Sequence, residues 1–551
     1  MKKLIITTFV LLASIALYGN KKEKTDNHYF SVAENLSIFN SVFKQLNIHY
    51  VDSIPVTDIM QKGINGMLKS LDPYTVYIST DDEENFNLMT KGEYAGIGTI
   101  ISKRGKYICI NEVYKDMPAD KVGLKVGYVL TKVDDTSLID ASTSKASELL
   151  RGTPGTTVQL TYQTDTLSAP QTVTITREHI YINPIRYYGM LNDSVGYIYL
   201  NNFTQNCAEE VKQALTDLRG KGMQKLVLDL RNNPGGYLND AVDICNFFLP
   251  KNQTIVTTKG KNSEVLHVYK TTKQPIVPQL PLVVLVNENS ASASEIVSGA
   301  LQDMDRAVII GERTYGKGLV QSTYPVAYDG QLKVTIAKYY IPSGRCIQAI
   351  NYTPNSNEKP DYIPDSLTNE FKTSVGRIVR DGRGISPDIT SKNDSVRGVM
   401  YHLLEDFKIS DYAIDYTKKH PNPGPLETFA LPDTTFQDFK QYVLSSSFKF
   451  HSYSQEILEK LIEMAKIEEC YEPNKTLLDS LQTNLNVNNE AALDSIQTQV
   501  MQYLTAEISK IYYYQWGEMF HIIQTDNVIK EALQLFAAPK RYETLLAAPK
   551  K

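Results

Sequence analysis

The chain has 551 residues, of which 42% are hydrophobic and 22% charged, and its formal net charge is −5. That length suggests about three or four domains of ordinary size. The balance is that of a folded globular protein, and a slightly acidic chain gives no reason to expect nucleic acid as a partner.

At the N-terminus Lys2 and Lys3 precede an apolar run from Leu4 to Leu17, followed by the polar Lys21-Lys22-Glu23-Lys24. A short basic region and an apolar stretch shorter than a spanning helix read as a secretory signal over residues 1–20. The expected location is therefore the periplasm or cell envelope; an uncleaved N-terminal anchor is the alternative. The five cysteines, Cys109, Cys207, Cys245, Cys346 and Cys470, are scattered and form no C-x-x-C, so neither a disulfide framework nor a metal site is expected. Five buried thiols and a large core are expected instead. Residues 28–85 read as helical: Leu36, Phe39, Phe43 and Leu46 share one face, and Met60, Ile64, Met67, Leu68 and Leu71 share another. Pro73 ends the second helix.

Residues 90–178 change to short β-rich runs separated by turns, with one helix expected over Ser142–Leu150. The segments Gly96-Ile97-Gly98, Pro118-Ala119 with Gly123-Leu124, Tyr128 to Val133 and Leu149-Leu150-Arg151-Gly152 together resemble a bacterial PDZ domain. The resemblance implies a groove that accepts a peptide as an added strand, with backbone amides near Gly96, Ile97 and Gly98 holding its terminal carboxylate. Arg151 either caps its own helix or reaches the next domain and couples peptide binding to activity.

Residues 180–395 alternate apolar strands and helices, the pattern of an α/β domain with a buried sheet. Residues 396–551 read as a helical extension, with Pro421–Pro425 as a candidate linker and the aromatic cluster Tyr512-Tyr513-Tyr514-Gln515-Trp516 as core.

Lys317 fits two chemistries. Gly311-x4-Gly316-Lys317 has P-loop spacing, but Gly318 stands where a P-loop needs Ser or Thr, and the following Leu319–Pro325 is a poor helix start. No nucleotide is therefore expected. The second reading is serine–lysine catalysis. Leu228–Gly236 is a strand running into a glycine-rich turn able to aim N–H groups at an oxyanion. Ser290-Ala291-Ser292-Ala293-Ser294-Glu295 places small residues where a strand meets a helix, and Lys317 lies 25 residues beyond Ser292. No histidine sits in a triad setting, and a lysine can be the base if burial makes its amine substantially neutral near pH 7.

These segments resemble the S41 serine peptidases, the carboxyl-terminal processing or tail-specific proteases. The resemblance implies a ClpP/crotonase-like α/β core beside the PDZ domain, no cofactor and no metal, and protein or peptide substrates with free C-termini. It also implies Ser292 as nucleophile, Lys317 as base and Gln321 as its support, with oxyanion donors at Ala293 and at Gly235 or Gly236. Ser290 and Ser294 are the alternative nucleophiles. Glu295 is expected to be a first-turn helix residue, Asp229 and Arg231 an ion pair fixing the turn, and Lys333 and Lys338 solvated or paired. Oligomerisation through the helical regions or an adaptor protein is left open, and a non-catalytic PDZ scaffold is the rival function.

Overall fold

The computed structural model describes residues 29–80, 83–352, 361–396, 398–446, 448, 450, 452–485 and 489–548. The expected signal segment, residues 1–20, lies outside the described residues. Among the described residues no helix is long and apolar enough to cross a membrane. The chain divides into two compact units, one up to Tyr77 and one from Ile78 onward. The first contains helix α1, residues 29–49, and helix α2, Val56–Lys69, with Leu68 buried on the face read from the sequence.

The second unit begins with the PDZ domain. Strands β1 (Thr99–Arg104), β2 (Tyr107–Val113), β3 (Val129–Val133), β4 (Thr157–Gln163) and β5 (Gln171–Thr176) form one sheet in that order. Helix α3 (Thr143–Leu150) packs on it and starts at Ser142, whose hydroxyl accepts the Lys145 N–H at 3.1 Å. Alternate residues turn inward, so Ile108, Ile110, Leu130, Val158, Leu160 and Ile175 make its core.

The α/β domain is built on one sheet. Its strands in order are β6 (Ile185–Met190), β7 (Val195–Leu200), β8 (Lys225–Asp229), β9 (Leu282–Val286), β10 (Val308–Gly311) and β13 (Ile389–Thr390). Only β6 runs antiparallel to its neighbour; the other pairs are parallel. Val- and Leu-rich strands of this kind are apolar on both faces because both faces are covered. Helices α4 (Cys207–Gly220), α5 (Leu238–Asn246) and α6 (Ala293–Asp303) cover one face. Beyond β10, the hairpin of β11 (Leu319–Pro325) and β12 (Gln331–Tyr340) leaves the sheet.

The other face is covered by the end of the chain. Helices α7 (Gln497–Thr525), α8 (Asn527–Ala537) and α9 (Pro539–Leu546) follow one another there. Val528, Ile529, Leu535 and Phe536 bury Val227, Val283, Leu285, Val308 and Ile310. The helical extension is thus not a separate appendage: its last helices complete the core of the α/β sheet. The same helical region grips the PDZ domain. Helix α7 breaks at Tyr513–Tyr514, where Tyr514 has φ 59°, and the Tyr514 hydroxyl donates to Asp120 at 2.8 Å. Arg104 pairs with Asp411 at 2.6 Å.

Three expectations need correction here. Pro421–Pro425 is an internal loop of the helical region, not a domain linker, and the Tyr513 hydroxyl donates to the Gly424 carbonyl at 2.8 Å. The aromatic cluster joins domains rather than filling one core: Trp516 meets Tyr187 and Tyr188 of β6, and Tyr514 meets the PDZ domain. Cys109, Cys207 and Cys245 are buried, but Cys346 is half-buried and Cys470 exposed. Cys470 joins two helices at a surface turn, which periodicity alone does not reveal.

Candidate active site

Strand β9 is buried along its whole length and ends against a loop of small residues leading into α6. Three serines lie on that loop and first turn, and their environments differ. Ser290 and Ser294 are fully buried. The Ser290 hydroxyl donates to the Leu230 carbonyl at 2.8 Å, and that of Ser294 to the Asn233 carbonyl at 2.9 Å. Both hydroxyls tie the loop to the glycine-rich turn. Ser292 between them is part-exposed and caps α6 with φ 54° and ψ −110°. A left-handed φ at a residue with a Cβ costs about 1–3 kcal/mol and is a mark of functional corners. Ser292 also sits where the helix N-terminus favours developing negative charge.

The turn after β8 faces this corner. Asn233 is buried; its side chain donates to the Leu200 carbonyl at 2.8 Å and accepts the Gly235 N–H at 2.9 Å. Its backbone carbonyl accepts the Ala291 N–H at 3.0 Å. Gly235 has φ 94°, and a Cβ there would lie 2.6 Å from the Ala291 carbonyl oxygen and 2.8 Å from the Ser292 Cβ. Only glycine lets the turn lie against the serine. Gly236 bridges to Phe203, and a Cβ there would strike the Phe203 carbonyl oxygen at 2.1 Å.

The third segment leaves β10 at Gly311 and carries Lys317, which is part-buried between buried Gly316 and Gly318. Gly316 has φ 85° and packs against Ala349, while the Gly318 N–H donates to Gln348 at 2.6 Å. What joins this segment to the serine is Glu295. Its carboxylate is fully buried and accepts four donors: Thr314 Oγ1 at 2.6 Å and Gly316 N at 2.7 Å on Oε1, Ser292 N at 2.8 Å and Lys317 N at 2.9 Å on Oε2. Burial pushes the carboxyl up to about 7, against the pull of those donors. Sequence reasoning placed Glu295 only as a first-turn residue. Its position three residues after the N-cap serine was the available signal for its bond to Ser292; nothing local pointed to Thr314, Gly316 or Lys317.

The remaining expected residues are placed as follows. Ala293 is buried at the first position of α6. Gln321 lies on β11, and its amide donates to Thr335 Oγ1 of β12 at 3.1 Å. Lys338 is exposed, while Lys333 is half-buried and burial lowers its ammonium pKa. Asp229 and Arg231 do pair, and Arg231 also reaches Asp526 at 2.8 Å. Gly96, Ile97 and Arg151 line one groove of about 250 Å³ with Leu88, Ile101 and Ile182, next to the N-terminal end of β1. Arg151 stacks over Tyr94 at 5.4 Å in that groove. Gly98 packs instead against Met117, and the Ile97 side chain also enters the PDZ core.

Comparison with known proteins gives three family matches. Residues 194–357 match peptidase family S41, residues 109–164 a PDZ domain, and residues 399–536 the family described as "Probable PDZ-protease, C-terminal helical domain". A carboxy-terminal-processing protease of Bartonella bacilliformis is 32% identical over 358 residues, 64% of this chain and 82% of that protein. A protein of Staphylococcus haemolyticus named "Probable CtpA-like serine protease" is 35% identical over 425 residues, 76% of this chain and 83% of its own. Among solved structures, the photosystem II D1 C-terminal processing protease is 26% identical with a TM-score of 0.35, over 64% of this chain and 92% of that one.

Proposed function

Since the chain belongs to the carboxy-terminal-processing proteases of peptidase family S41, we propose that it is a serine endopeptidase acting through Ser292 and Lys317 on proteins whose free C-terminus its PDZ domain holds. The observation that carries this reading is the Glu295 carboxylate, which binds the backbone of the part-exposed serine and of the lysine together. A serine hydroxyl needs a base to become a nucleophile. In the proposed reaction Lys317 takes the Ser292 proton as Oγ bonds to the scissile carbonyl carbon. The carbon–nitrogen bond then breaks, Lys317 returns the proton to the leaving amine, and water hydrolyses the acyl-enzyme by the same route.

The Ala293 N–H and one amide of the glycine turn serve the oxyanion. The Gly235 N–H is already committed to the Asn233 side chain, which favours Gly236 as the second donor. Gln321 supports the lysine from β11. The groove holding Gly96, Ile97 and Arg151 accepts the C-terminal strand of the substrate, with an apolar floor for its last side chain. The basic and apolar residues at the N-terminus support export to the periplasm or cell envelope.

The test is Ser292→Ala with an unfolded protein substrate. Cleavage should vanish while binding of a C-terminal peptide persists. Undiminished cleavage would remove Ser292 from the mechanism, and a wild-type enzyme that binds peptides but cuts nothing would favour a scaffold.

A further inference from the structure

We propose that Asp526 is a positioning residue for the oxyanion turn, making the C-terminal helical region part of the catalytic apparatus; this rests on the role given above to the glycine turn. The turn begins at Arg231. The Nε and NH2 edge of its guanidinium is used by Asp229, two residues earlier, at 2.5–3.0 Å. Asp229 is itself fixed by the Tyr197 hydroxyl at 2.8 Å. That pair ties the arginine to the sheet but not to the helical region that covers it.

The bonds from Asn233, Ser290 and Ser294 hold the middle of the turn; its first residue is tied to the helical region through NH1, which donates to Asp526 Oδ2 at 2.8 Å. The side chains are 13% exposed for Arg231 and 4% for Asp526, so water screens the pair little. Asp526 is held in turn: Oδ2 accepts Asn393 Nδ2 at 2.9 Å, and Oδ1 accepts the Ile529 N–H at 2.9 Å as the N-cap of α8. No dense packing would replace this contact. Arg231, Asn232, Asn287 and Asp526 border a cavity of about 410 Å³, room into which a released guanidinium can swing.

The link runs directly into the site. Asn232, next to Arg231, has φ 58° and exchanges hydrogen bonds with Asn287 at 2.8 Å, on the loop before Ser290. Asn233 follows and holds the Gly235 amide. Bidentate arginine geometry transmits orientation as well as energy, and oxyanion donors act only when their N–H groups are aimed.

Asp526→Ser tests this, since serine still caps α8 but is too short to reach Arg231. Measured well below the melting temperature, kcat and the single-turnover acylation rate should fall about tenfold with KM within about twofold, a fraction of what loss of a whole oxyanion donor costs. Asp526→Asn, which keeps an acceptor for NH1, should restore most of that rate. The control is Tyr542→Phe. It removes the bonds at 2.9 and 3.1 Å to Leu282, at the other end of β9, and should lower Tm while leaving kcat unchanged. If the serine variant does not fold, Asn393→Ala, which frees one side of Asp526, should lower kcat about threefold. Wild-type kcat and acylation in the folded variants, with only Tm lowered, would overturn the proposal. Ser292→Ala in the same assay separates the two failures. If it is inactive while Asp526→Ser is unimpaired, only this proposal falls; if it still cleaves, the serine reading falls.

Discussion

One oxygen of the Glu295 carboxylate accepts the backbone N–H of Lys317 at 2.9 Å, although the two residues lie 22 positions apart in the chain. The carboxylate rides on the helix that Ser292 caps, so the segment of the proposed base is registered against the proposed nucleophile by a side chain that the proposed reaction does not use. Replacing it with glutamine turns an NH2 toward two of the four donors, and at least one backbone N–H loses its acceptor. Glu295→Gln should lower stability by about 1–3 kcal/mol, the usual cost of a buried orphan. It should lower kcat/KM by about a hundredfold through misregistered groups. Melting curves and cleavage kinetics on the same preparation check both.

The pH dependence of this carboxyl has opposite signs for activity and stability. Protonation converts one oxygen into a donor facing an N–H, so activity should fall as pH drops through about 7. In the folded chain the group holds its proton up to about 7, in the unfolded chain only to about 4.5. The native state therefore binds more protons in that window, and this contribution to stability declines as pH rises across it. Tm relative to Glu295→Gln should fall from pH 5 to 7.5 while kcat/KM climbs. A difference in Tm that stays flat would contradict the assignment.

The three serines of the run should separate cleanly. Ser290→Ala and Ser294→Ala each remove a buried hydroxyl bonded to the turn and should cost about 1–3 kcal/mol, with cleavage reduced but measurable. Ser292→Ala should leave none. An inactive but fully stable Ser290→Ala enzyme would show that the roles are misassigned.

Gly235→Ala places a methyl group 2.6 Å from the Ala291 carbonyl oxygen and imposes φ 94° on a residue with a Cβ. The strain amounts to about 1–3 kcal/mol. Relief must move the turn away from Ser292, so kcat should collapse by about a thousandfold even where circular dichroism reports a native fold.

The thiols give an independent check on the fold. Cys470 is exposed, while burial raises the thiol pKa of Cys109, Cys207, Cys245 and Cys346. A disulfide reagent at pH 8 should label one thiol rapidly, at Cys470, and the others slowly or only in denaturant.

Much of this architecture was legible because it is local. The strand-to-turn run ending at Gly235-Gly236, the serine run and the glycine-flanked lysine each carry their signal within a few residues. The short β-rich runs that mark β1 to β5 and the apolar runs of β7 to β10 are equally local. What could not be read were contacts between distant segments. Nothing around Glu295 announces Lys317, and Asp526 lies 295 residues after the arginine it binds. The covering of the sheet by α8 was also hidden, because a helix with one strongly apolar stripe reads the same whether it closes its own bundle or another domain's sheet.

Helix α7 has a further consequence. Tyr514, at its break, touches the PDZ domain, and Asp526, just past its end, touches the glycine turn. Eleven residues of helix lie between them, and the twelve steps from one to the other span roughly 18 Å at 1.5 Å per residue. The PDZ domain and the glycine turn, the two parts the proposed reaction needs, are thus spaced by a helix and not by a loop. Under the function proposed above, such a rigid spacer would let the enzyme act as a ruler, measuring from the end of its substrate.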